Sequence, residues 1–466
     1  MKTLLLSMAA AATLSSAAEE NRTVETSVNQ SAETYSQDSL RQQQLHEVVV
    51  SGVRTQKDAP FAVANIKRAD LAEHSVTGKE LPFLFARTPG VLAWSENGLG
   101  TGTTYMRIRG AADSRINVTL DGVPLNSPED QCVFWANMNS YASLLGSVQI
   151  QRGVGTSTNG DGAFGGTISL ATKAPAERLS AEVSSSYGSY GTYNLGGAFS
   201  TGLLWNQLII DAAYHETNTS GYIHGTSGRS GSYYGGITWR PTDNFALSYK
   251  NIGNFEKTGQ AWNGVVAGNN DYSLMDGCYD DGSWTYQTKT GIKSYKDMYD
   301  RGLGRFNSLY EQLRTGDDGL FVKDADGNYL TDRYTLADGT LWDKTTDNFW
   351  QNHNLLNATF KIDDRWTATA TLHYTHGQGY YQEFRPNNKL SKFGLTAADA
   401  EGKSVKRSDF IRRKGLKQDT YGVVGNANYK DDRWNVIGGL SLQNFKGEHY
   451  GYLKYASNPF VQQKNR

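Results

Sequence analysis

The chain is 466 residues long, with 50 glycines, 27 tyrosines, 17 phenylalanines and 10 tryptophans but only 9 prolines, and a net charge of −1. That balance gives no electrostatic footprint for nucleic acid, and no apolar run approaches the roughly 18 residues a spanning helix needs. A hydrophobic fraction of 38% suits a polar soluble domain, or a membrane β-barrel whose strands wet one face and bury the other in lipid.

Residues 1–18 combine Lys2, an apolar stretch and a small-residue end, Ser16-Ala17-Ala18. They read as a secretory signal, too short to span, cut after Ala18 or Ala17. Residues 19–45 are rich in Ser, Thr, Glu, Asn and Gln and read as a disordered tether. Next comes Glu47-Val48-Val49-Val50-Ser51, a β-branched run after polar sequence. An exposed extended segment of this kind either adds to a partner's sheet edge or pairs internally as a first strand.

Residues 105–110 alternate polar and apolar as a half-buried strand does. This strand carries Arg107 and Arg109, which are costly inside a protein unless paired with carboxylates. The run from Ile116 to Leu120 ends in Asp121-Gly122, a hairpin signal. Glycines at 153, 155, 160, 162, 165 and 166 permit close backbone approach, but no Gly-Lys-Ser/Thr follows, so a phosphate loop is set aside.

Taken in order, Glu47–Ser51, Arg107-Ile108-Arg109-Gly110, Leu120-Asp121-Gly122-Val123-Pro124-Leu125-Asn126, Ile150-Gln151-Arg152-Gly153 and the stretch from Gly162 to Lys173 resemble the plug domain of TonB-dependent outer-membrane receptors. The resemblance implies a mixed α+β plug over residues 46–173 and a transmembrane antiparallel β-barrel from residue 174 onward. It makes Glu47, Val48, Val49, Val50 and Ser51 the segment that pairs with TonB and its inner-membrane energy-coupling complex. It matches Arg107, Arg109 and Arg152 to plug positions that pair with barrel-wall carboxylates. It also implies a cell outer membrane location, with the plug on the periplasmic side of the lumen.

Beyond residue 179 the signal becomes strict alternation. Trp366, Ala368, Ala370, Leu372 and Tyr374 fall on one face, and Thr367, Thr369, Thr371 and His373 on the other. Strands are expected at residues 180–187, 193–200, 203–216, 232–240, 244–251, 349–362, 365–377, 420–430 and 433–445. Short polar turns alternate with long connections at about 253–348 and 381–417, the outer-membrane pattern rather than that of a sandwich. About nine strands are an odd and short wall beside the roughly 22 of plugged transporters. The expectation is therefore an incomplete barrel, an open sheet edged by its first and last strands.

No nucleophile groups with a base, so no enzyme, cofactor or metal is expected. His373 and His376 share a strand end and are more often lumen side chains than ligands. Phe384-Arg385-Pro386-Asn387 is faintly similar to a haem-receptor motif whose remainder is missing, so its role is not carried over. Cys132 and Cys278 form one disulfide or two unpaired thiols, the second being preferred. The ligand-binding candidates are Trp94, Glu96 and Asn97 in one plug loop and Asp130, Gln131, Phe134 and Trp135 in another. These mix apolar area with orienting polar groups, although Phe134 and Trp135 also suit packing of plug against wall. The expected activity is import of a ferric siderophore or other iron complex. Cobalamin, haem, glycan or peptide import by the same architecture is the alternative, with a passive pore or adhesin more remote.

Overall fold

The computed structural model describes residue 54 and residues 61–154, 164–262 and 295–461. Glu47–Ser51 and Cys278 lie outside them. Among the described residues no helix is long and apolar enough to cross a membrane, which says nothing of strands.

The plug is a mixed unit. Its strands are β1 (Ala62–Ile66), β2 (Val91–Ser95), β3 (Thr104–Ile108), β4 (Ala111–Ala112), β5 (Ile116–Leu120), β6 (Val123–Pro124), β7 (Leu145–Arg152) and β8 (Gly166–Thr172), with helices α1 (Arg68–Ser75) and α2 (Leu81–Phe85) after β1. A five-stranded sheet runs β1-β7-β8-β5-β6 beside a three-stranded sheet β2-β3-β4. The β5–β8 pair is parallel. Asp70 caps α1 by accepting from the Lys67 amide at 3.1 Å. Pro82 starts α2, where its missing N–H costs nothing. Asp121 (φ 48°) and Gly122 (φ 85°) turn β5 into β6, as the Asp-Gly signal requires. Leu71, Phe85, Met106, Ile108 and Ile150 fill the plug core, and Ile252, Leu355 and Val424 of the wall join the same cluster.

Among the described residues the wall is one antiparallel sheet of nine strands. In order these are β9 (Ser180–Tyr187), β10 (Tyr193–Ser200), β11 (Leu208–Thr219), β12 (Gly228–Thr242), β13 (Phe245–Gly259), β16 (Thr346–Lys361), β17 (Trp366–Lys389), β20 (Arg407–Lys430) and β21 (Asn435–Ala456). Strands β9 and β21 are its two edges, as expected. The strand placed at 203–216 begins later, because Trp205 (φ 49°) and Asn206 (φ 55°) make a turn. The connection placed at 381–417 is shorter than read. Alternation fades there because the connections pack on both faces, burying Phe384 and Ile411 on one and Phe410 on the other, yet β17 and β20 stay paired out to Lys389 and Arg407.

The wall is inside out. On β17, Trp366, Leu372 and Tyr374 are 42%, 56% and 43% exposed, while Thr369, Thr371 and His373 are buried at 7%, 5% and 4%. Apolar residues outside and polar residues within is the order of a lipid-facing barrel wall. His376, three positions on, falls on the opposite face from His373 and is held by Asp419 at 2.7 Å, so the two histidines do not converge.

Connections 260–345 and 390–406 leave the same end of the sheet. The first is folded within its described part. It carries α3 (Tyr295–Asp300), β14 (Glu311–Leu313) and β15 (Thr331–Arg333) around Met298, Leu303, Phe306 and Tyr329. Asp318, Asp324 and Asp338 each accept a backbone N–H two residues on, just before or across an Asp-Gly turn. The second connection holds the short hairpin β18 (Ala397–Ala398) and β19 (Ser404–Val405), with Asp399 in the same capping role.

Candidate functional site

A cavity of about 810 Å³ lies between plug and wall, towards the long-connection end. Its floor is plug: Tyr105 on β3 and the segment 132–137. Its side is wall, and the strand register orders it. Glu256, Phe349, Gly379, Leu416 and His449 form one row across β13, β16, β17, β20 and β21. Thr258, Asp347, Tyr381, Lys414 and Gly451 form the next row outward. Trp262 closes over Tyr381, ring centroids 5.2 Å apart and nearly perpendicular, and its indole N–H donates to Thr103 of the plug at 3.3 Å. A second, basic cavity of about 420 Å³ is lined by Arg385, Lys392, Arg412 and Arg413, and shares Lys414 and Gly451 with the first.

The expected ligand residues divide. Phe134 and Trp135 line the large cavity. Phe134 is half exposed, whereas Trp135 is 2% exposed and packs edge-on against Phe85 at 5.5 Å. Trp94 stacks on Tyr105 at 5.4 Å, and Glu96 accepts from the Tyr105 hydroxyl at 3.1 Å. They stand behind the cavity's Tyr105. Burial pushes the Glu96 carboxyl up to about 7 against that hydrogen bond. Asn97 is buried and spent on its own turn, donating to Thr101 Oγ1 at 2.6 Å and accepting from the Leu99 amide at 3.0 Å. Asp130 and Gln131 are exposed and do not line the cavity, while Cys132 beside them does. Burial, followed by the fields of Asp113 and Asp130, pushes the Cys132 thiol up to about 12.

The plug arginines lie on the surface or bond to plug carbonyls. Arg107 and Arg109 are exposed. Arg107 donates to the Gly110 carbonyl at 3.3 Å, and Arg152 donates to the Pro89 carbonyl at 2.8 Å. Among the described residues none of the three meets a wall carboxylate. The buried plug–wall ion pair has the opposite polarity: Asp121 Oδ2 of the plug lies 2.6 Å from Lys250 Nζ of β13. Only the Asp-Gly turn was legible at that spot. Arg54 was also missed. It donates to Ser147 Oγ at 2.9 Å, the Ser147 carbonyl at 3.1 Å and the Ser169 carbonyl at 3.0 Å, anchoring the chain just after Ser51 to β7 and β8.

Residues 55–167 match the TonB-dependent Receptor Plug Domain family. The chain is 22% identical over 385 residues to the vitamin B12 transporter BtuB of Vibrio cholerae, covering 75% of this chain and 61% of that protein. Its fold is similar to P. aeruginosa FpvA bound to a ferric pyoverdine (TM-score 0.55, 12% identity, 88% of this chain and 45% of that one). It is also similar to the ferric citrate transporter FecA (TM-score 0.55, 14% identity, 87% and 51%). The ferric-catecholate import receptor Fiu of E. coli K12 gives a TM-score of 0.53 at 13% identity, over 86% and 48% of the two chains.

Proposed function

We propose that this chain, a TonB-dependent receptor by its plug domain and its plug-and-wall fold, serves to import a scarce small molecule across the outer membrane, a ferric siderophore or another iron complex. The observation that carries the reading is the inside-out wall packed around the plug core, with a ligand-sized cavity between them on the long-connection side. A passive pore needs no such plug. In this reading ligand seats on Tyr105 and Phe134, with Trp135 packed in the plug beneath them, and the plug relays its presence to Glu47–Ser51, which then pairs with TonB by strand addition. The ferric ligands named for FpvA, FecA and Fiu support iron; the sequence likeness to BtuB supports cobalamin as the second reading.

The test is Val49→Pro in the receptor expressed in its own cells. Proline removes the backbone donor that strand pairing needs. Uptake of labelled ferric chelate should stop while surface binding persists; normal uptake would remove the coupling role from this segment. Uptake of labelled cobalamin in the same cells, without iron uptake, would select the second reading.

A further inference from the structure

We propose that the large cavity is a dipolar site, built for a ligand with an anionic group at one end, a cationic group at the other and a flat apolar body between. The proposal rests on the reading of this cavity as the ligand seat and names the ligand's charge pattern.

The strand register carries the argument. In the outer row of the cavity, Asp347 on β16, Tyr381 on β17 and Lys414 on β20 are direct neighbours, all pointing inward. Adjacent strands lie about 4.8 Å apart, so the carboxylate and the ammonium stand on backbones about 10 Å apart with an aromatic ring between them. Neither residue takes part in an ion pair among the described residues, so the two charges stand apart across the cavity. Each pole is reinforced on its own side. Glu256 on β13 is 3% exposed and lines the cavity, and its Oε2 has no hydrogen-bond partner. A buried carboxylate oxygen left without a donor is a cost that an incoming ammonium or N–H removes. On the other side Lys414 continues into the basic cavity. There Glu383 is shared between Arg385 and Arg412, and Lys392 has no carboxylate partner among the described residues. Between the poles Phe349, Tyr381 and Trp262 supply the apolar faces that hold a flat body.

A polyanionic chelate meets Lys414 favourably but sets its other charges against Asp347 and Glu256. A zwitterionic one satisfies both poles.

The experiment uses the receptor purified from outer membranes and reads quenching of tryptophan fluorescence, since Trp262 and Trp135 line the cavity. The probes are a zwitterionic ferric chelate with a free ammonium and a free carboxylate, a trianionic ferric tris-catecholate, and a metal-free aminomethyl-biphenyl carboxylic acid. The zwitterionic chelate should bind, and both Asp347→Asn and Lys414→Gln should weaken it about tenfold or more. Lys414→Arg should restore binding, and variants are compared only at matched melting temperature, with Glu256→Gln as a second test of the acidic pole. The trianion should bind more weakly and lose affinity only with Lys414→Gln. If the trianion binds as tightly as the zwitterion, or Asp347→Asn leaves the zwitterion unchanged, the dipolar site is wrong and the iron reading stands. If only the biphenyl acid binds, with both dependences, the dipolar site stands and the iron reading falls. Quenching by none of the probes overturns both.

Discussion

Lys250 of the wall and Asp121 of the plug meet at 2.6 Å with their side chains only 8% and 6% exposed. The Thr172 hydroxyl completes the triangle, donating to Asp121 and accepting from Lys250 at 2.7 Å each. Asp121 also accepts from the Thr172 amide at 2.9 Å, so the carboxylate closes the plug sheet and binds the plug to the wall at once.

Lys250→Ala should therefore loosen the plug. Removing one partner leaves the other charge buried, a loss of about 3–5 kcal/mol. The expected outcome is a lower unfolding temperature and greater permeability to large antibiotics at equal expression. Neutralising the pair together, Lys250→Met with Asp121→Asn, should recover much of the stability, because asparagine tolerates the positive φ at 121 and keeps an acceptor for the Thr172 amide. A single mutant as stable and as tight as wild type would show that the pair holds nothing.

Phe134 and Trp135 are adjacent yet should behave differently. Trp135→Ala removes a ring packed in the plug core and should cost about 3–5 kcal/mol in thermal unfolding. Phe134→Ala, at a half-exposed ring on the cavity floor, should leave the melting temperature within about a degree or two and weaken ligand binding. Equal destabilisation by both would place Phe134 in the core as well.

Cross-strand tyrosines lie over glycines on the wall. Tyr233 pairs with Gly253, and Tyr450 with Gly415. A Cβ at Gly253 would stand 2.0 Å from Tyr233 Cζ, and one at Gly415 2.0 Å from Tyr450 Cζ. Gly253→Ala should destabilise by about 1–3 kcal/mol, seen as a lower temperature for the loss of heat-modifiable migration on gels. Adding Tyr233→Ala should reverse much of that loss if the ring is the cause.

Glu80 gives the plug a pH dependence. Its carboxyl is fully buried, and burial pushes it up to about 8; Thr104 and Gly102 pull the other way, short of hydrogen-bond geometry. The folded state thus keeps a proton that the unfolded chain releases from about 4.5 upward, so stability is full below that value and falls until about pH 8. Glu96 works in the same direction up to about 7. His74, whose Nε2 lies 3.1 Å from the Glu80 carbonyl, is held below its ordinary 6.5 by burial and works oppositely below that value. Glu256 and Asp347 of the wall share the neighbourhood. Melting temperature should fall most plainly between about pH 6.5 and 8, and Glu80→Gln should flatten it. An unchanged profile in that variant would rule out Glu80 as the titrating group.

The architecture was legible because a lipid-facing wall obeys a local rule. Alternation along β17 and short turns such as Asp363-Asp364-Arg365 report a two-faced strand and its short-turn end without any knowledge of neighbours. The Asp-Gly turn was legible for the same reason, since positive φ at both central positions is a property of those residues. Strand ends were lost where the connections cover both faces of β17 and β20, burying Phe384 and Phe410, because the period-two signal needs one dry and one wet face.

The candidate site was only half legible. Mixed aromatic and polar loops pointed to Phe134 and Trp135, but nothing local separates a ring on a cavity floor from a ring in a core. By itself the sequence determined the strand count and the two faces of the wall, since these follow from residue type and spacing, while the plug came from the resemblance its motifs carry. The tertiary structure alone decided that Asp121 finds Lys250, that Arg54 anchors the chain to β7 and β8, and that Asp347, Tyr381 and Lys414 stand in one row. These contacts join residues 33 to 129 positions apart, and which charge meets which is set by strand register, a relation between segments that no single segment encodes.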